Sequence, residues 1–136
     1  VEYVAEQFDP LWTEEERPEN LRSRTKRFAL AILDLLDELP LRQRFQTISR
    51  QLSRSATSVG ANYREASRAR SDAEFVAKIG DCLKELDESA WWLELLIASP
   101  ATPEPLQLDA TSQLTETHQL IAIFTVIAKK VRSRLK

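Results

Sequence analysis

Few side chains in this chain have chemical potential, and their spacing argues against catalysis. The one histidine, His118, follows Glu116 by two residues. That spacing puts the two on different faces of a helix, whereas a carboxylate-bridged metal bundle needs Glu-x-x-His on two helices plus further inward Glu. One histidine and one cysteine, Cys82, supply neither a zinc set nor a Cys/His pair at local spacing. Two glycines in the whole chain leave no room for a Gly-rich phosphate loop. Cys82 falls on an apolar row and reads as an inert buried thiol, and Asp81, Glu85 and Glu88 follow a solvated row. No catalytic residue, metal or cofactor is expected.

The chemistry that remains is charge. The stretch "QLSRSATSVGANYREASRAR", residues 51–70, alternates arginine with Ser, Ala, Gly and Asn in a chain whose formal net charge is -2. The charges are segregated. Residues 1–20 carry seven acids against Arg17, residues 41–70 seven arginines against Glu65, and residues 71–98 seven acids against Lys78 and Lys84. The C-terminal tail, with Lys129, Lys130, Arg132, Arg134 and Lys136, is basic again. Such polarisation serves either helix-to-helix complementarity or a polyanion-binding face.

These groups must be positioned by helices. The length of 136 residues, the 43% hydrophobic content, the scarcity of Gly and the abundance of Ala, Leu, Glu and Arg point to one all-α domain. Prolines at 10, 18 and 40 and the run "SPATPEP" at 99–105 divide the chain into an acidic leader, residues 1–19, and a bundle domain, 20–136. Helices are predicted over about 20–39, 41–70, 72–98 and 109–135, with Ser71 or Asp72 and Asp109 as N-caps. No apolar run approaches the roughly 18–20 residues that span a bilayer. One cysteine and no secretory h-region near residue 1 lead to the expectation of a cytoplasmic, non-membrane protein.

Apolar rows at spacings of three and four mark the core faces. They are Phe28, Ile32, Leu35, Leu36 and Leu39; then Phe45, Ile48, Leu52, Ala56, Val59, Tyr63 and Ala66; then Phe75, Ile79, Cys82, Leu86, Ala90, Leu93 and Ile97. At 100° per residue, Arg42, Arg50, Arg54, Arg64 and Arg68 lie nearly opposite the second row. Beside them Ser49, Ser53, Ala56, Gly60 and Ser67 form a row of little bulk, suited to close helix approach. Asn62 reads as a buried hydrogen-bonding pin.

Trp91, Trp92 and Leu95 project away from the third core row, and Leu120, Ile121, Ile123, Phe124, Ile127, Val131 and Leu135 cover a wide arc of the fourth helix. By this reading one subunit owns more apolar surface than it can hide, so self-association through Trp91, Trp92, Leu95, Ile123 and Ile127 is expected. The leader, with Tyr3, Val4, Phe8, Leu11 and Trp12 among its acids, is expected to pack on its own bundle or a neighbour.

The segment "RQLSRSATSVGANYREASRARSDAEFVAKIGDCLKELDESAWWLELL", residues 50–96, resembles the signature of the small bacterial bundle proteins encoded in intervening sequences of 23S ribosomal RNA genes. That family includes the accessory protein of diversity-generating retroelements. The resemblance implies an antiparallel up-down-up-down four-helix bundle, a homopentameric ring and no catalytic activity. It also implies a link to nucleic acid through basic surface and, in the retroelement branch, a reverse transcriptase as partner. Two functions stay open. One is RNA or DNA binding through Arg42, Arg50, Arg54, Arg64, Arg68, Lys129, Lys130, Arg132 and Arg134. The other is an interaction scaffold whose arginines pair with Asp81, Glu85 and Glu88.

Overall fold

Proline does not act here only as a breaker. The computed structural model describes residues 11–135. In it the first long helix, α1, spans Pro18–Asp37 with Pro18 at its first position, and α4 spans Glu104–Arg132 with Pro105 in its first turn. Pro fits there because the opening N–H groups of a helix lack intrahelical acceptors in any case. The fourth helix therefore starts five residues before its predicted boundary at 109, and Asp109 lies inside it rather than capping it. Between them, α2 spans Gln43–Ser67 and α3 spans Asp72–Ala98. The Ser71 hydroxyl caps α3 as expected, accepting the Glu74 N–H at 3.1 Å.

Consecutive helices run antiparallel, as the residue pairs that meet make plain. Arg54 meets Glu88, Val59 meets Cys82 and Glu65 meets Lys78 across α2 and α3. Gln107 reaches the Ile97 and Ser99 carbonyls, and Arg134 reaches Asp72, across α3 and α4. Arg24 meets Glu116 across α1 and α4. The described residues contain four long helices, two short 3-10 turns and no strand.

The core is built from the rows expected of it. Phe28, Ile32, Leu52, Val59, Tyr63, Phe75, Ile79, Leu86 and Leu93 are buried, and Tyr63 of α2 packs its ring 5.5 Å from Phe124 of α4 across the centre. On α3 the row drifts by one position at its end, so that Leu96 is buried and Ile97 only half-buried. Ile123 and Ile127 correct the interface expectation: both are buried inside the subunit. The wide apolar arc of α4 is used internally, because α4 faces α1, α3 and the Tyr63 ring of α2 at once.

Where the leader enters the described residues it lies on the bundle. Trp12 is buried in the core cluster while Leu11 is exposed. Lys130 of α4 donates to the Leu11 carbonyl, pairs with the buried Glu16 and stands 5.9 Å from the centre of the Trp12 ring. Tyr3, Val4 and Phe8 lie outside the described residues.

Candidate nucleic-acid interface

The five α2 arginines singled out by periodicity are all exposed, but they do not share one environment. Arg42 and Arg68 are the two caps of the helix, roughly 39 Å apart at 1.5 Å per residue. The remaining three divide between the flanks of α2.

On the α3 side the charge is matched. Arg54 clasps Glu88 with both oxygens in reach, at 2.5 and 2.6 Å, and touches Glu85 at 3.4 Å. The Arg54 guanidinium, hydrogen-bonded to Glu88, holds that carboxyl below the usual glutamate range, and its own pKa is raised chiefly by the same bond. Lys78 pairs with Glu65 at 3.1 Å, which raises the lysine pKa. Beneath these pairs the Ser55 and Ser89 hydroxyls are buried and hydrogen-bonded to each other at 2.8 Å. Ser55 is thus the buried polar pin of α2. Asn62 is not: it is half-buried, and its side chain has no hydrogen bond among the described residues. The Cys82 thiol donates to the Val59 carbonyl at 3.6 Å, and burial pushes its pKa up to about 12, which leaves it a thiol rather than a nucleophile.

On the α1 side Arg50 and Arg64 find no ion-pair partner among the described residues. Gly60 marks the close approach of the two helices: a Cβ there would stand 3.2 Å from Thr25 Oγ1. Thr25 cannot turn away freely, because its hydroxyl donates to the Leu21 carbonyl at 2.7 Å. The small-residue row thus works as a packing device at this point. Next to it Arg64 of α2 shares a cleft with Arg22 and Lys26 of α1. Further along, Arg50 borders a groove with Ser49, Ser53 and Asp37. The side chains of Lys26, Arg50 and Arg64 have no ion-pair partner among the described residues. Arg22 and Lys26 did not stand out in the sequence. Their spacing of four was visible, but nothing in it says that this face of α1 turns toward α2.

The C-terminal cations also divide. Lys130 is taken by Glu16 and Arg134 reaches Asp72 at 3.7 Å, whereas Lys129 and Arg132 are exposed. Of the apolar residues expected at an interface, Trp91 is 55% exposed, and Trp92 and Leu95 are half-buried along a groove with Arg42 and Ile48. Among the described residues no group of three metal-ligating side chains occurs, and no helix is long and apolar enough to cross a membrane.

A four-helix bundle with segregated surface charge is the class of protein these features define. Residues 20–122 match the family model described as 23S rRNA-intervening sequence protein, and the chain belongs to that family. A crystal structure of a protein of unknown function from the S23 ribosomal protein family of Bacteroides thetaiotaomicron is similar. It shows 32% sequence identity and a TM-score of 0.72, with 82% of this chain and 97% of that one covered. No curated protein matches the chain. The match extends well beyond residues 50–96, where the motif first suggested it, and takes in all of α2 and α3.

Proposed function

We propose that this protein is a non-catalytic, self-associating four-helix bundle that binds RNA or DNA through the phosphate backbone. The observation that carries the reading is the charge on the α1 side of α2, where Lys26, Arg50 and Arg64 have no carboxylate partner among the described residues. In a chain of net charge -2, cations left over after the acidic helix has been paired are available to an external polyanion. Phosphate neutralisation releases counterions and gives affinity with little sequence readout. Lys129 and Arg132 extend the basic surface at the end of α4, while Arg42 and Arg68 mark the ends of α2. The family's association with 23S rRNA intervening sequences makes structured RNA the first ligand to try.

The test is a titration with a structured RNA at several salt concentrations. Binding that weakens steeply with salt supports the reading. No binding at low ionic strength contradicts it.

Self-association, with five subunits as the number the family resemblance suggests, rests on the exposed Trp91 together with the half-buried Trp92 and Leu95. Native mass measurement decides the subunit count. A scaffold role has one observation of its own: Arg54, already clasped by Glu85 and Glu88, behaves as an internal pairing residue. A reverse transcriptase would be the protein partner if the chain serves the retroelement branch, and co-purification checks it. The cytoplasm is the compartment proposed.

A further inference from the structure

We infer that the groove between the start of α2 and the end of α3 is a binding site for one unpaired nucleotide of a single-stranded nucleic acid. The inference rests on the nucleic-acid reading above and adds where, and in what form, that ligand is held. The carboxylates that clasp Arg54 do not reach this far. Toward the first turn of α2, no Asp or Glu is among the described residues that line the groove. Arg42 and Arg44 stand there, both exposed, and neither has an ion pair among the described residues. Arg44 donates to the neutral Ser99 hydroxyl at 3.2 Å and keeps its charge. Arg42 is the N-cap residue of α2 and makes no side-chain cap, so the positive end of the helix adds to the two guanidiniums.

The rest of the lining is largely apolar. Trp92 and Leu95 of α3 are half-buried along it, together with the buried Ile48 of α2. The Trp92 indole N–H is itself buried, so the ring offers the groove carbon surface. An apolar aromatic wall beside two guanidiniums matches the two halves of a nucleotide. The base gains by leaving water for the ring, and the phosphate takes charge-assisted bonds from the guanidinium forks. Gln43 and Thr47, exposed on the same stretch of α2, carry an amide and a hydroxyl of the kind that meet a base edge. The groove measures about 610 Å³, within the roughly 300–1,000 Å³ of sites that enclose a small molecule. A base inside a duplex is stacked and paired already, so the site selects single strands, loops and bulges. Trp91 does not line the groove and is left for self-association.

The test compares a short oligoadenylate RNA with an RNA duplex of the same length. Affinity is measured across a salt series, tryptophan emission is followed during each titration, and native mass reports the assembly of every protein used. The variants are Thr47→Glu, which sets a carboxylate in the groove, and the double variant Arg42→Gln/Arg44→Gln. Ala77→Glu, exposed on α3 with the same charge change as Thr47→Glu, is the control.

Both groove variants should bind oligoadenylate at least about tenfold more weakly, and the double variant should flatten the slope of log affinity against log salt by about 1–1.5. Their affinity for the duplex should change by less than about threefold, and the control should bind both RNAs like the wild type. Oligoadenylate, and not the duplex, should quench the wild-type tryptophan emission. Single-strand binding that the groove variants leave intact, or that the control loses equally, overturns the site while the reading above stands. Loss of assembly in the groove variants with single-strand affinity unchanged gives the groove to a second copy and also overturns it. Binding of oligoadenylate alone, lost in the groove variants, upholds the site and confines the reading above to single strands. No binding of either RNA by the wild type overturns both. Should Thr47→Glu fail to fold, the double variant, which changes exposed side chains only, gives the answer alone.

Discussion

The two flanks of α2 carry the same residue type and come to opposite ends. Toward α3, Arg54 meets Glu85 and Glu88, Lys78 meets Glu65, and Ser55 is locked to Ser89 beneath them. Toward α1, Arg64 shares a cleft with Arg22 and Lys26, and Gly60 lets the backbones close up to Thr25. The arginines differ only in what the neighbouring helix presents. An acidic neighbour turns a guanidinium into a structural clasp, whereas beside a basic neighbour Arg64 has no ion pair among the described residues. The first flank is a finished interface and the second is an unfinished one.

The comparison breaks most visibly under overpacking. Ser55→Leu forces a larger side chain into a fully buried site and removes the Ser89 hydrogen bond, and it should cost about 2–4 kcal/mol in urea unfolding. Gly60→Leu pushes against Thr25 on the more open flank and should cost about 1–3 kcal/mol. A reversed order of these two would mean that the α1 side is the tighter interface. Gly80 sharpens the contrast, because a Cβ there would meet nothing within 4 Å. Gly80→Ala should therefore stabilise the protein by about 0.5–1 kcal/mol through helix propensity alone. Arg24 joins α1 to α4 through two 2.8 Å bonds to Glu116 and one to Gln119, and Arg24→Ala should cost about 1 kcal/mol.

The smallest effect is electrostatic and depends on pH. Glu88 has its carboxyl pKa lowered by Arg54. A lowered folded value means that the pair contributes above the unfolded glutamate pKa of about 4.3, and that this contribution fades as pH falls through the folded value. A titration followed by NMR should find the Glu88 midpoint below that of a free glutamate, and Arg54→Gln should return it toward the ordinary range. An unmoved midpoint would show that the clasp does not persist in solution. Cys82, with its pKa pushed up to about 12, should resist alkylation at neutral pH until the protein unfolds.

Much of the fold was legible because burial follows a helical period. The rows through Phe28, Phe45 and Phe75 were read from spacing and are buried, save Leu36 and Ile97, which are half-buried. The N-cap of α3 was narrowed to Ser71 or Asp72 and is Ser71, whereas the start of α4 was missed because Pro105 sits in the one turn that tolerates it. The arginine row was legible as exposed but not as divided. A projection at 100° per residue separates inside from outside, and it does not say which neighbour stands at each edge. For the same reason Ile123 and Ile127 were given to an external interface: a wide apolar arc looks alike whether it meets another subunit or several helices of its own. Arg22 and Lys26 became meaningful only when antiparallel packing set them across from Arg64.

The division of α2 is tested most directly by charge reversal on each flank, with affinity for a structured RNA measured across a salt series. Lys26→Glu/Arg64→Glu should weaken binding by at least about tenfold and flatten the salt slope, while Arg54→Glu should change affinity by less than about threefold. Equal losses from both reversals, or a larger loss from Arg54→Glu, would contradict the account.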